Sequence, residues 1–157
     1  MPRKKKEIVI TPKLFRDDNL TDKLATIVDE KWTKNKFVLL TPSAGVGKTF
    51  VTIHAVGKLP GGKKAHFMIF GPKAKKMDHS WDASILGYNI VKNMDMSYTV
   101  NTHDYIRTHS DEILAEAAQY HNSGEAVILV LDEVHLVKNP TSKVGKALKK
   151  IVDSPMI

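Results

Sequence analysis

The sequence predicts an α/β fold in which a parallel β-sheet is covered by helices on both faces. Short, largely apolar runs at 37–40, 65–70 and 126–131 alternate with segments of helical periodicity, and a weaker strand candidate lies at 98–101. Strands that alternate with helices favour parallel pairing. Strands that are apolar on both sides indicate a sheet that is buried on both faces.

Five segments combine a helical spacing of apolar residues with signals for helix ends, and they are 20–32, 48–58, 78–86, 104–120 and 142–152. Asn19 or Thr21 has the side chain needed to cap the first of these helices. The Pro-Gly-Gly sequence at 60–62 is expected to end the second.

Length and composition indicate one domain with basic character. A chain of 157 residues has room for a single substantial core. Lys and Arg outnumber Asp and Glu by 24 to 17, which favours a polyanionic partner, although basic runs at 3–6, 73–76 and 143–150 are also typical of solvated surfaces. No apolar run has the length of a membrane span or of a signal peptide, and there is no cysteine. We therefore expect an intracellular protein, cytoplasmic or nuclear, with no membrane partner.

The segment TPSAGVGKT lies between a predicted strand and a predicted helix, as a phosphate-binding loop requires. Glycines allow the backbone to turn its N–H groups toward phosphate oxygens, and the helix that follows adds the positive end of its dipole. Lys48 is placed to reach the β and γ phosphates, and the Thr49 hydroxyl is placed to bind Mg²⁺. The sequence therefore predicts an ATP-binding loop made of Gly45, Val46, Gly47, Lys48 and Thr49.

The general pattern GxxxxGK[ST] has a glycine where this chain has Pro42, whereas the inner GxGKT is intact. The alternative interpretation is a chance Gly-Lys-Thr at the start of a helix. The strand predicted at 37–40 argues against that alternative.

An apolar strand that ends in an acidic pair is the second element that a phosphate loop requires. The segment VILVLDEVH provides it: Asp132 is predicted to act on Mg²⁺, and Glu133 to orient and polarise the water that attacks the γ phosphate. The alternative is that Asp132 and Glu133 only mark the end of a strand. None of the histidines follows a metal-ligand spacing such as HExxH, so no metal role is assigned to them.

Four segments, in order between 37 and 151, resemble motifs of Swi/Snf-type DNA translocases, within the DEAD/DEAH-like ATPases of helicase superfamily two. The first is the phosphate loop. The second, MIFGPKAKKMDHSW, resembles a strand, a Pro-Lys turn and a helix tryptophan, matched by Gly71, Pro72, Lys73 and Trp81. The third, VNTHDYIR, resembles a strand that ends in a hydroxyl residue before an aromatic-acidic helix start, matched by Thr102 and Asp104. The fourth, LDEVHLVKNPTSKVGKAL, resembles the acidic box and its Lys-Asn continuation.

This resemblance implies a RecA-like P-loop NTPase that binds ATP and Mg²⁺ and moves on double-stranded DNA. By the same resemblance, Lys48, Glu133 and His135 are catalytic, and His135 couples the nucleotide site to the rest of the enzyme. Lys73 and Thr102 are candidate contacts to the DNA backbone. The competing interpretations are an ordinary surface lysine for Lys73 and a helix cap for Thr102, while the Trp81 of the second motif is more simply a core anchor.

The resemblance also divides the chain into an N-terminal basic tail with a leading helix at 1–35 and a RecA-like ATP-binding lobe at 36–157. The family continues into a further strand and a second RecA-like lobe, which supplies an arginine finger. We therefore expect the isolated chain to be a weak or inactive ATP hydrolase that works with a second lobe, in cis or in trans.

Two other functions fit parts of the sequence. One is a nucleotide- or DNA-binding regulatory fragment that does not hydrolyse ATP. The other is a different phosphate-loop enzyme, such as a small-molecule kinase or an AAA-type ATPase. The kinase would need a substrate-binding lid, and nothing between Lys48 and Asp132 resembles one.

Overall fold

The computed structural model describes residues 10, 12, 15, 19–32, 48–59, 61–73, 79–132 and 143–152. Along the chain the elements are α1 (Asn19–Trp32), α2 (Lys48–Lys58), a short 3₁₀ turn (Gly62–Lys64), β1 (His66–Gly71), α3 (Ser80–Lys92), β2 (Ser97–Thr102), α4 (His103–Thr108), α5 (Ser110–Asn122), β3 (Val127–Leu131) and α6 (Lys143–Val152). The strand expected at 37–40 lies outside the described residues.

The three strands form one parallel sheet with the order β2-β1-β3, which confirms the predicted α/β class. Residue His66 of β1 is paired with Ser97 of β2, and the register runs without interruption to Gly71 and Thr102. On the other side, β1 pairs with β3 from His66 and Val127 onward. Strand β1 is central among these three, and all six of its residues are buried.

The side chains of β1 alternate between the two faces of the sheet, as the two-residue period of a strand requires. Phe67 and Ile69 belong to a core on the first face, which α2 and α3 cover with Ile53, Val56, Trp81, Ile85 and Tyr88. Met68 and Phe70 belong to a second core, which α4, α5 and α6 cover with Ile106, Ile113, Ala117 and Ile151. Helices on both faces explain why the strands are apolar on both sides.

Two helices differ from their predicted bounds. The segment predicted as one helix at 104–120 is two helices, separated at His109, whose backbone is not helical (φ −132°, ψ 32°). Thr108 and His109 are hydrogen-bonded side chain to side chain at 2.6 Å, and the imidazole stacks on Tyr105 with ring centroids 4.1 Å apart. The His109 amide still donates to the Tyr105 carbonyl oxygen at 2.9 Å, so the break is a local change of backbone angles and not a loss of that hydrogen bond. Helix α3 extends to Lys92, six residues beyond the predicted end at 86.

Helix α1 packs on α2 through a small apolar contact and a polar network. Ala25 is fully buried against Val51 and Ala55. The buried His54 lies 3.2 Å from Asp22 Oδ1 through Nε2 and 2.8 Å from the Tyr88 hydroxyl through Nδ1. Because a carboxylate only accepts, Nε2 carries the proton, so in the neutral ring Nδ1 accepts from tyrosine. One imidazole therefore joins α1, α2 and α3. The helix predicted at 20–32 is confirmed, with Thr21 inside it rather than at its cap.

No helix in the described part of the chain is long and apolar enough to cross a membrane.

Gly62 permits the close approach between the end of α2 and the turn that leads into β1. A Cβ at this position would meet the carbonyl oxygen of Val56 and lie 3.1 Å from the carbonyl carbon. We predict that Gly62→Ala lowers the free energy of unfolding by about 1–3 kcal/mol, because the obstructing atoms belong to the backbone and cannot rotate away. Urea denaturation followed by circular dichroism measures this effect. Lys63→Ala, at an exposed neighbouring position, is the control and should change stability by less than about 0.5 kcal/mol. Equal stability of the two variants would contradict the close contact.

The ion pair at the α1–α2 interface predicts a specific loss of stability in acid. Lys58 Nζ lies 2.5 Å from Asp22 Oδ1, and this hydrogen bond, followed by that of His54, lowers the pKa of the Asp22 carboxyl below its ordinary value of 3.8. A carboxyl with a lowered folded-state pKa stabilises the fold above its unfolded pKa and loses that contribution as the pH falls through the folded one. The stability advantage of the wild type over Asp22→Asn should therefore be constant above about pH 5 and shrink below pH 3.8. Urea denaturation of both proteins from about pH 6 to pH 2.5 tests this, and a pH-independent difference would contradict it.

Candidate functional site

The carboxyl ends of the three strands meet at one edge of the sheet, because the strands are parallel. β1 ends at Gly71, which is paired with Thr102 at the end of β2, and β3 ends at Leu131. Ligand sites in open parallel sheets form at this edge, beyond the strand ends. The residues that follow the strands, Lys73, His103 and Asp132, are therefore brought to the same side of the molecule.

Asp132 is the best-defined polar residue of this edge. Its amide N donates to the carbonyl oxygen of Phe70 at 2.9 Å, so the pairing of β1 with β3 continues one residue past the strand. Its own carbonyl oxygen lies 2.8 Å from His103 Nε2. Since a carbonyl oxygen only accepts, His103 donates through Nε2. The carboxylate oxygen Oδ2 accepts a hydrogen bond of 3.1 Å from Trp81 Nε1.

Trp81 is a core anchor, as the simpler interpretation expected, and it also contacts the predicted Mg²⁺ ligand. Its side chain is 5% exposed and packs in the core of the first face with Phe67 and Ile85. It lies in the first turn of α3, next to Asp82, whose Oδ2 is 2.9 Å from His79 Nδ1. A carboxylate in the first turn suits the positive end of the helix dipole. Burial, and then the charge of Asp82, raise the pKa of the nearby Tyr98 phenol.

The two candidate DNA-contact residues lie at, or just after, the carboxyl ends of neighbouring strands of the sheet. Lys73 is exposed, two residues after the end of β1. Thr102 occupies the N-cap position of α4 with an extended backbone, but its side chain forms no capping hydrogen bond. The helix-cap interpretation therefore accounts for the position of Thr102 in the chain, but it gives the Thr102 hydroxyl no capping role. Within α4, Arg107 binds Asp104 at 2.9 and 3.2 Å and lowers the pKa of that carboxyl.

Helix α2 begins at Lys48, immediately after the predicted phosphate loop. Its last turn meets the amino edge of the sheet, where the Val56 carbonyl abuts Gly62 and the chain turns into β1. Its middle packs on the first face through Ile53. The opposite end of α2, with the half-buried Thr49, lies away from this amino edge.

The remaining predicted site residues lie outside the described part of the chain. These are Gly45, Val46 and Gly47 of the loop, and Glu133 and His135 of the acidic box. Of Lys48, the structure describes the backbone as the first residue of α2.

The described donors fit Mg-ATP by their chemistry. The N-terminus of α2 offers backbone N–H groups and the positive end of a helix dipole to a phosphate. Thr49 and Asp132 offer the oxygen ligands that Mg²⁺ prefers. Among the described residues no group of three His, Cys, Asp or Glu side chains is placed to hold a metal ion. A nucleotide-bound Mg²⁺ does not need such a group, because phosphates and water complete its shell.

His103 is a residue of the candidate site that the sequence motifs did not single out. The sequence could have identified His103 by its position, because a residue that directly follows a strand of a parallel sheet lies at the carboxyl edge. The hydrogen bond from Trp81 to Asp132 joins residues 51 positions apart, and no motif spacing predicts it.

Comparison of the chain with protein-family models, with curated proteins and with solved structures gives no match in any of the three. The functional interpretation therefore depends on the sequence motifs and on the geometry of the carboxyl edge.

Proposed function

We propose that this chain is the nucleotide-binding lobe of an ATP-dependent DNA helicase or translocase with a RecA-like P-loop fold. It binds Mg-ATP and, together with a second lobe, hydrolyses the nucleotide to move on double-stranded DNA. The observation that carries the proposal is the position of Asp132. This acidic residue follows an apolar strand of a parallel sheet, and Trp81 and His103 hold it at the carboxyl edge, where we place the N-terminus of α2 and the phosphates of the nucleotide.

The strand order supports the RecA-like part of the proposal. In RecA-like sheets another strand normally separates the phosphate-loop strand from the acidic-box strand. Within the described sheet, β3 is an edge strand that pairs with β1 alone. Its other edge is where the proposal places the remaining strands. Helices α2 and α3 lie on the same face of the sheet, and this arrangement is compatible with further strands beyond β3.

Each proposed site residue has a role that follows from its chemistry. The backbone of Gly45, Val46 and Gly47 and the side chain of Lys48 would hold the phosphates. Thr49 and Asp132 would hold Mg²⁺, which when bound neutralises charge on the β and γ phosphates.

The acidic-box residues after Asp132 complete the proposal. Glu133 would accept a proton from the attacking water, and His135 would link this site to the second lobe.

Double-stranded DNA is the proposed polyanionic partner. The chain carries a formal net charge of +7. Lys73 follows β1 and Thr102 ends β2, at the same edge as Asp132, so a DNA backbone bound there would lie close to the nucleotide site. Contacts to phosphate oxygens from lysine and hydroxyl side chains fix position without reading sequence.

Nucleotide binding is tested with Lys48→Ala and Thr49→Ala. We predict that Lys48→Ala weakens Mg-ATP binding about ten- to a hundredfold, because it removes a charge-assisted hydrogen bond to phosphate. Thr49→Ala should weaken binding in the presence of Mg²⁺ and have little effect in EDTA. A fluorescent ATP analogue and isothermal titration calorimetry measure both. Lys63→Ala, an exposed lysine in the turn before β1, is the control that should bind as the wild type does. Unchanged affinity in Lys48→Ala would reject the phosphate-loop assignment.

DNA binding is tested with Lys73→Ala. Binding of a short duplex, measured by fluorescence anisotropy across a salt series, should weaken. The slope of log K against log salt should fall in magnitude by about 0.9, because the variant neutralises one phosphate fewer. Thr102→Ala should weaken binding without changing that slope, because it removes a neutral donor. Lys23→Ala on α1, also exposed, is the charge-matched control. Equal effects of Lys73→Ala and Lys23→Ala would indicate only a diffuse dependence on net charge and would contradict the proposed interaction.

A further inference from the structure

We infer that Trp81 is a positioning residue for Asp132 and that its indole N–H sets the affinity of the chain for the Mg²⁺ complex of ATP. This inference rests on the proposed function and adds to it a residue that acts through another.

The indole of Trp81 has a fixed position and a single polar atom. Its ring is held on the first face of the sheet by the core that contains Phe67 and Ile85, and only 5% of the residue is exposed. An indole nitrogen donates and never accepts, and a buried indole N–H normally has an acceptor. Here the acceptor is Asp132 Oδ2 at 3.1 Å. The direction of the donor is therefore set by packing and not by the carboxylate.

The backbone of Asp132 is fixed independently of Trp81. Its amide is bonded to the Phe70 carbonyl oxygen at 2.9 Å, and its carbonyl oxygen to His103 at 2.8 Å. What remains to be set is the rotation of the carboxylate about its side-chain bonds. The indole N–H favours one orientation, because the other orientations lack this charge-assisted hydrogen bond.

A carboxylate that is already oriented binds a metal ion more tightly than one that must first be ordered. Removing an outer hydrogen-bonding partner of a metal ligand typically lowers metal affinity about 10- to 100-fold. The same reasoning predicts no effect on ATP that binds without Mg²⁺, since Trp81 then acts on a carboxylate that has no ligand.

The experiment compares Trp81→Phe with the wild type in the full chain. Phenylalanine keeps an aromatic ring in the core and removes the N–H. We expect the dissociation constant of Mg-ATP to rise about 10- to 100-fold, while that of ATP in EDTA stays within about twofold of the wild type. Ile85→Val is the matched core control, since Ile85 is fully buried in the same core but donates no hydrogen bond from its side chain. It should lower stability and leave the preference for Mg²⁺ unchanged.

A second measurement requires no nucleotide, and it does not depend on whether the Trp81→Phe variant folds. The chain has two tryptophans, Trp32 and Trp81, and therefore two indole ¹⁵N–¹H signals. In Asp132→Asn, the Trp81 signal should shift, because the Trp81 indole N–H donates to residue 132. An unshifted Trp81 signal would overturn the inferred hydrogen bond.

The outcomes separate the inference from the proposed function. If the wild type binds Mg-ATP and Trp81→Phe binds it equally well, the inference fails and the proposed function stands. If Trp81→Phe weakens Mg-ATP and metal-free ATP equally, Trp81 is only a core residue and the inference is again wrong. If the wild type does not bind Mg-ATP, the proposed function fails and the inference falls with it.

Discussion

Strand β1 forms main-chain hydrogen bonds along both of its edges, to β2 and to β3, and both of its faces are covered by helices. Its six residues are buried, so the two ladders are what satisfies their N–H and C=O groups. The three-layer arrangement depends on this double pairing. Without β1, the helices of the two faces would have no common surface on which to pack, and the ends of β2 and β3 would not be held at one edge.

The two edges of the sheet differ in how their polar groups are satisfied. At the amino edge the buried His66 stacks on Tyr120 with ring centroids 3.6 Å apart and lies 2.7 Å from Ser97 Oγ through Nδ1. Its Nε2 is 3.6 Å from a carboxylate oxygen of Glu116, which itself accepts from Thr99 at 3.1 Å. These contacts tie the first residues of β1 and β2 to α5. Apart from His66 Nε2, which is buried without a hydrogen-bond partner among the described residues, the polar groups named here are paired within the fold.

The carboxyl edge is built differently, because its polar residues come from loops and helix starts. Asp132 is half-buried, and its three described hydrogen bonds join it to β1, α3 and α4. Helices α3 and α4 begin here, so the positive ends of their dipoles lie at this edge, beside the carboxylate of Asp132.

The parts of the fold that the sequence predicts well are those with local causes. Helix α2 has its predicted bounds, since the Pro-Gly-Gly sequence ends it locally, and β3 lies within the predicted 126–131 because consecutive branched apolar residues favour a buried strand. The break at His109 was not predicted, because apolar periodicity does not reveal the non-helical backbone angles of a single residue. Asp132 was predicted as a site residue from its motif. Its bonds to Trp81 and His103 depend on tertiary packing and have no signature in spacing.

The way Asp132 is held has a consequence for any function that requires movement. Its amide is bonded to β1, whereas its carboxylate and carbonyl are bonded to residues at the starts of α3 and α4. Lys73 precedes α3 and Thr102 precedes α4, so a ligand that displaces either segment acts on a helix that is bonded to Asp132. A displacement of roughly 1 Å beyond the normal range is enough to break a hydrogen bond of this kind, because its strength falls steeply with distance and angle. Small shifts of these helices are therefore sufficient to change the orientation of the carboxylate, without any change in the sheet.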